Sequence, residues 1–427
     1  MKGIKMKKVI IILAVLAGIL IMLNCGGDDV VNVDHGVKIV LYPVADTSVY
    51  YSDTLHFQAY VWNTTDTTVK WYVNNIENGN NVYGTIDSTG RYFAPGPTDT
   101  LDEVTVKIVS IADSTKSDST MVNILNEDFI FVDVARGNDV TGIGSMNRPF
   151  KTISKGISVG KSGQIILVAP GTYNVASGES FPLIPTRDVT VQGEVDSTTI
   201  IEPANDQPAF SLQYERATAK NFTIRRATKT GVGIEYGGLE GIVRLLVSDI
   251  TIKNCDIAAH NTGSADSLEF TSCTVDSCVN GFVVEEPAAY LNLDQTTFAN
   301  IDSIAVKTIS PITEQLNFNL VTIDNAWIGL ELSQESHAII FQSVFSNIDS
   351  TAVYLNAPAV LNVSDTQPGH NDFSGCSNWC VINNTANTIH AENNRWPSTD
   401  SLTIDTQYIY DDDEDASKGP VLFMPVY

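Results

Sequence analysis

The sequence predicts an all-β protein in which a β-sandwich precedes a right-handed, single-stranded parallel β-helix. Three observations predict it. A phrase recurs at short spacing: TIKNCD at 251–256, then TVDSCV at 274–279. Around each copy, apolar and polar residues alternate in two runs offset by one residue, the pattern of strand, bend and strand. Upstream, residues 37–125 hold six short alternating stretches with no competing helical period. The 427 residues exceed what one compact core organises, so more than one domain is expected.

The chain starts MKGIKMKK, followed by 15 uninterrupted apolar residues, Val9–Leu23. A basic start and a short apolar run match a secretory signal, whereas a spanning helix wants roughly 20 residues. The run ends in IMLNC and continues GGDD. It resembles a bacterial lipoprotein signal, whose cysteine becomes the lipid-bearing first residue. The resemblance implies a signal over residues 1–24, lipid attachment at Cys25, a tether over 25–36 and, with Gly26 after the cysteine, the outer membrane. Asn24 stands where that family usually has Gly, Ala or Ser, and Met22 where Leu is usual. An ordinary signal peptide with an incidental cysteine is therefore the alternative. Either reading exports the protein.

The net charge is −25, and −29 without residues 1–24, which hold four lysines and no acid. Such a surface repels nucleic acid and anionic headgroups. It also disfavours polyanionic substrates unless a metal ion bridges. After Cys25 come Cys255, Cys273, Cys278, Cys376 and Cys380. An odd number cannot all pair, and no CxxC pair stands near a histidine at zinc-finger spacing.

Residues 37–125 read as half-buried strands: VKIVLYP, TLHFQAYVW, TVKWYVNN, RYFAP, EVTVKIVSI and TMVNIL. So many short strands in one segment indicate a sandwich. Trp71 in TVKWYV, GTIDSTGRYFAP (84–95) and DSTKSDSTMVNI (113–124) resemble the bacterial immunoglobulin-like repeats of surface proteins. The resemblance implies a spacer or binding module, and no His/Asp/Ser cluster here suggests catalysis.

The β-helix domain is placed at 128–427. FIFVDVARGNDVTGIG reads as a strand and a turn region. RPFKTISKGISVG reads as a short helix begun by Pro149, with Ile153 and Ile157 on one face and Gly160 at its end. SGQIILVAPGTYN holds a strand apolar on both sides, hence buried on both. Gly137-Asn138-Asp139, Pro149-Phe150, Thr152-Ile153, APGTY (169–173), GESFPLIP (178–185) and VTVQGE (189–194) closely resemble the N-terminal module of a bacterial family of pectate-lyase-like right-handed β-helix proteins. In that family the short helix caps the open end of the coil stack. The family has no established general activity, so the resemblance implies a fold more than a function.

With Ile252 and Val275 as reference positions, further copies fall at Ile224, Phe298, Ile323 and Phe345, spaced 28, 23, 23, 25 and 22 residues. Each has its inward set, such as Leu268, Phe270, Cys273, Val275 and Leu291, Leu293, Thr296, Phe298. Two residues past the reference stand Arg226, Asn254, Ser277, Asn300, Asn325 and Asn347, and Asn tolerates a left-handed turn. One copy cannot bury its apolar face; copies stacked about 4.8 Å apart can. Roughly ten coils are expected, from about Ile165 to Trp396. A leucine-rich horseshoe is disfavoured because the inward set mixes Ala, Ile, Phe, Cys and Thr. Cys255 and Cys278 read as small core residues, and Cys376 and Cys380 as a loop pair able to form a disulfide outside the cell. HAENNRWPSTDSL (390–402) and the segment after it resemble the closing coil of such proteins. Asp411–Asp415 lacks the EF-hand frame and reads as a solvated acidic cap. Calcium is the one cofactor left open.

Outward positions form columns. Six residues before the reference stand Glu269, Asn292 and Asn317; four before stand Thr271, Asp294 and Asn319. This stripe is the candidate site for a sugar or an ion. Glu269 and Asp294 lie one coil and two residues apart, roughly 8 Å, within the range of an inverting glycosidase pair. The competing reading is a solvated face. Lyase chemistry wants a base beside a neutralised uronate, yet between Arg244 and Arg395 only Lys253 and Lys307 are basic. His260, His337, His370 and His390 are scattered, with no carboxylate orienter at fixed spacing. Trp327, Trp379 and Tyr290 can stack on sugar rings. Phosphate-loop, dinucleotide, zinc-protease and serine-hydrolase motifs are absent. The expectation is an exported, membrane-anchored surface protein presenting its β-helix to a glycan or another surface component. Nucleic acid is not expected as a partner, and the oligomeric state is open. The alternative is a carboxylate-dependent glycoside hydrolase or, less favoured, a polysaccharide lyase.

Overall fold

The computed structural model describes residues 36–424 except 44–46, 97–100, 196, 205, 238–243, 334–335, 357–359 and 363–370. The expected signal, Cys25 and all but the last residue of the tether lie outside the described residues.

Residues 38–125 form three small sheets. Lys38–Tyr42 pairs antiparallel with Gln58–Trp62. A five-stranded sheet centres on Glu103–Ser110, flanked by Ser117–Leu125 and Val69–Val73. A four-stranded sheet holds Thr54–His56, Arg91–Phe93, Gly84–Ile86 and Gly79–Asn80. Alternation puts Leu41, Phe57, Trp71, Val73, Tyr92 and Ile108 into one shared core. The stretch TLHFQAYVW breaks at Phe57, which turns inward while its N–H bonds the Gly90 carbonyl at 2.8 Å. Gly90 adopts φ +84°, and a side chain there would meet the Trp71 ring at 2.9 Å.

Residues 129–422 form one continuous array of 25 strands, paired in parallel, wound into a solenoid of about nine turns. It extends past the expected span at both ends. Phe129–Val132 pairs with Ile165–Val168, and Val421–Leu422 pairs with Ile389–His390. Loops and a helix fill those end coils, which hides the period in the sequence.

The reference positions lie in one file. Ile201, Ile224, Ile252, Val275, Phe298, Ile323 and Phe345 pair in direct register, coil over coil. All seven are fully buried. Phe282 packs between Phe270 at 4.3 Å and Phe298 at 5.0 Å between ring centroids. Burying each such side chain contributes about 1.5–3 kcal/mol. Two left-handed columns bend each coil from Ile252 to Phe345, whereas in the Ile224 coil Asn221 is left-handed at φ 60° and Arg226, contrary to its place in the turn column, is not. Asn254, Ser277, Asn300, Asn325 and Asn347 have φ between 52° and 60°, as expected. Asp249, Ser272, Gln295, Leu320 and Gln342, three residues before the reference, have φ from 47° to 55° and make the bend between the offset strands.

The family-like residues build the N-terminal cap. Asp139 accepts the N–H groups of Lys151 at 2.8 Å and Thr152 at 3.1 Å. Glu179, itself buried, accepts those of Ile153 at 2.7 Å and Ser154 at 2.9 Å. The helix therefore spans Ile153–Val159 with Thr152 as N-cap, and does not begin at Pro149. Asp139 holds the preceding backbone extended. The Tyr173 hydroxyl donates to the Ala169 carbonyl at 2.9 Å and accepts the Val134 N–H at 3.2 Å.

At the far end, the helix Ser401–Tyr408 is N-capped by Asp400, and Ile409–Tyr410 pairs with Val381–Ile382. Asp411 corrects the acidic-cap reading. It is buried and accepts the Val421 N–H at 2.6 Å, holding the closing loop, while Asp412–Glu414 are exposed. Cys376 lies in the short connection after Asp372–Gly375, as expected, whereas Cys380 lies within the strand Trp379–Asn383; both are buried core thiols, free like Cys255, Cys273 and Cys278. Burial pushes the Cys273 thiol up to about 12.

Candidate functional site

The outward stripe forms as its spacing predicts. Glu269, Asn292 and Asn317 stand in register on consecutive coils, as do Thr271, Asp294 and Asn319. Leu246 and Ile339 bound the first column. Tyr290 lies two residues before Asn292 on the same outward face, 41% exposed, so Tyr290, Asn292 and Asp294 make an aromatic-amide-carboxylate row.

Neighbouring rungs hydrogen-bond to each other. The Asn317 amide donates to Asn292 Oδ1 at 2.6 Å, and the Asn319 amide to Asp294 Oδ1 at 2.6 Å. Gln295 donates to the other Asp294 oxygen at 3.1 Å, and the Ser267 hydroxyl to Glu269 at 3.2 Å. Glu269 and Asp294 sit on adjacent coils two residues apart. Both carboxylates already accept donors of their own sheet.

A second column escaped the sequence reading. Thr223, Thr251, Thr274, Thr297 and Thr322 pair in register on five consecutive coils, facing outward and half-buried. The signal was the first letter of TIKNCD and TVDSCV. Beside it runs a carboxylate-amide ladder. Asn300 donates to Asp276 at 2.9 Å, Asn325 to Asn300 at 2.9 Å and Asn347 to Asp324 at 2.7 Å. Burial pushes the Asp276 carboxyl up, but bonds from Asn300 and Ser277 and the Lys253 ammonium outweigh it and hold the carboxyl below its ordinary value.

Lys253 lies 3.3 Å from Asp276 and Lys307 lies 3.4 Å from Glu331, so each lysine faces a carboxylate. The histidine reading needs correction. His260 Nε2 lies 3.1 Å from Glu285 on the next coil, and His390 Nδ1 lies 3.1 Å from Glu392. Coil lengths vary, so the first partnership has no fixed spacing. His370 and the His337 side chain lie outside the described residues. Trp327 is 53% exposed, whereas Trp379 packs edge-on against Tyr410 at 5.8 Å.

Among the described residues, no three His, Cys, Asp or Glu side chains converge as a metal site. A cavity of about 290 Å³ lies away from the stripe, between Tyr50 of the N-terminal module and Phe129, Phe150 and Gln164 of the first coil. Beside it, Asp102 accepts the Asn147 N–H at 2.6 Å and the Ser145 hydroxyl at 3.1 Å.

An inward apolar file, left-handed bends recurring at fixed positions in the middle coils and outward polar columns in register define a parallel β-helix domain. Residues 135–400 match the family described as protein of unknown function, DUF1565, and the chain belongs to that family. The match includes the cap and the whole stripe. No curated protein and no solved structure matches the chain.

Proposed function

We propose that this is an exported, lipid-anchored surface protein whose β-helix binds a glycan along its outward polar face without turning it over. The observation that carries the reading is the in-register stripe, with Asn292–Asn317 and Asp294–Asn319 bonded across coils and exposed Tyr290 beside them. Fixed amide and carboxylate groups supply donors and acceptors to sugar hydroxyls, and a tyrosine ring supplies a stacking face. The basic start, the apolar run and Cys25 support export and anchoring. The immunoglobulin-like reading of residues 37–125 makes that segment a spacer, supported by its antiparallel pairings and its core around Trp71.

A hydrolase reading rests on the Glu269–Asp294 offset. It is weakened by the donors each carboxylate accepts, because an acid–base pair needs one carboxyl protonated and room for a water between the two. A glycan array on the chain from residue 26, with and without calcium, tests the reading alongside assays for reducing ends and unsaturated products. Binding without turnover is expected, weakened about tenfold in the double variant Asn292→Ala/Asn317→Ala. Turnover lost in Glu269→Gln would overturn it in favour of the hydrolase.

A further inference from the structure

The strand Gln58–Trp62 alternates cleanly. Ala59 and Val61 turn toward the module, while Gln58, Tyr60 and Trp62 face solvent. Tyr60 is 47% exposed and Trp62 40%. Their rings lie within 17° of parallel, with centroids 6.2 Å apart. The Tyr60 hydroxyl donates to Gln58 Oε1 at 2.7 Å, which holds the ring in place. On the paired strand, Lys38 stands opposite Trp62, Val40 opposite Tyr60 and Tyr42 opposite Gln58. Directly paired residues share a face, so these six make one surface, opposite the side that buries Leu41.

We propose that Tyr60 and Trp62 form a stacking site for a neutral β-linked glycan, separate from the β-helix stripe and independent of it. Parallel aromatic faces one strand repeat apart match the apolar C–H faces of successive pyranose rings. Gln58 and Lys38 stand at the two ends as hydrogen-bond donors to sugar hydroxyls. The face carries one cation and no carboxylate, on a chain whose net charge of −25 repels polyanionic glycans. Two five-residue strands span roughly 17 by 10 Å, about 170 Å². That is far below the ~800 Å² per partner of a stable protein interface, and it suits an oligosaccharide.

The test is calorimetric titration of the chain from residue 26 with cellohexaose, chitohexaose and mannohexaose, and with oligogalacturonate as the anionic comparison. At least one neutral oligosaccharide is expected to bind. Trp62→Ala and Tyr60→Ala each lose tenfold or more in affinity, while Trp62→Phe keeps most of it. Val140→Ala, at an exposed side chain outside both faces, leaves the affinity unchanged. Circular dichroism of each variant distinguishes lost binding from lost fold. The proposal is overturned by the absence of neutral-glycan binding or by unchanged affinity in a folded Trp62→Ala variant. It is likewise overturned if the chain is a dimer that Trp62→Ala turns into monomer, because the rings then serve a second copy.

Discussion

Asn319 donates its side-chain amide to the Asp294 carboxylate at 2.6 Å across one coil of the solenoid. The bond joins two half-buried groups on the candidate binding face. A double-mutant cycle with Asp294→Ala and Asn319→Ala should give a favourable coupling of about 0.5–1.5 kcal/mol. Denaturant titration of the four proteins measures it; a coupling near zero would mean that the two rungs do not meet.

Phe298 is fully buried and touches Phe282 edge-on at 5.0 Å. Phe298→Ala is expected to destabilise the domain by about 3–5 kcal/mol, through lost burial and the cavity it leaves. Thr297→Ala, one residue away but facing out, should change stability by less than about 1 kcal/mol. Thermal and urea unfolding compare the two.

Leu320 holds φ 55° and is 44% exposed. A left-handed backbone costs an L-residue about 1–2 kcal/mol, and glycine avoids that cost. Leu320→Gly, at the bend between Ile312–Asn319 and Thr322–Leu332, is therefore expected to stabilise the protein. A raised urea midpoint confirms it.

Asp276 has its folded-state carboxyl pKa depressed below the ordinary value. Its stabilisation is complete above about pH 4, the unfolded range, and is lost as pH falls through the depressed folded value. The stability gap between wild type and Asp276→Asn should be steady from pH 6 to 8 and close below about pH 4. Urea midpoints across pH read this directly, and a gap that widens in acid would contradict the assignment.

The middle coils were legible because their inward pattern repeats without interruption. Ile252, Val275, Phe298 and Ile323 share one offset from their flanking apolar pairs, and Asn, or Ser at 277, marks the left-handed turn of each of these coils. The end coils were not. The helix Ile153–Val159 and the loops around it separate Phe129 from its partner Ile165, and the closing helix separates Ile389 from Val421. The stripe was legible as columns, but its hydrogen bonds were not, because they depend on rotamers that sequence does not set. Thr251 and Thr274 open the two repeat phrases, but threonine on an outer strand face is common, so the column does not stand out in sequence alone. His260 and Glu285 were missed because partners one coil apart carry no constant spacing.

Both the stripe and the threonine column depend on coils lying in register. Pulsed electron-spin distances test that most directly, with labels at Thr223 paired in turn with Thr297, Thr322 and Val344 while the native core cysteines stay buried. These positions are three, four and five coils apart in one outward column. The distances should rise in equal steps of about 4.8 Å, near 14, 19 and 24 Å. Distances that fail to increase together, or that jump by unequal steps, would contradict the solenoid and the binding face built on it.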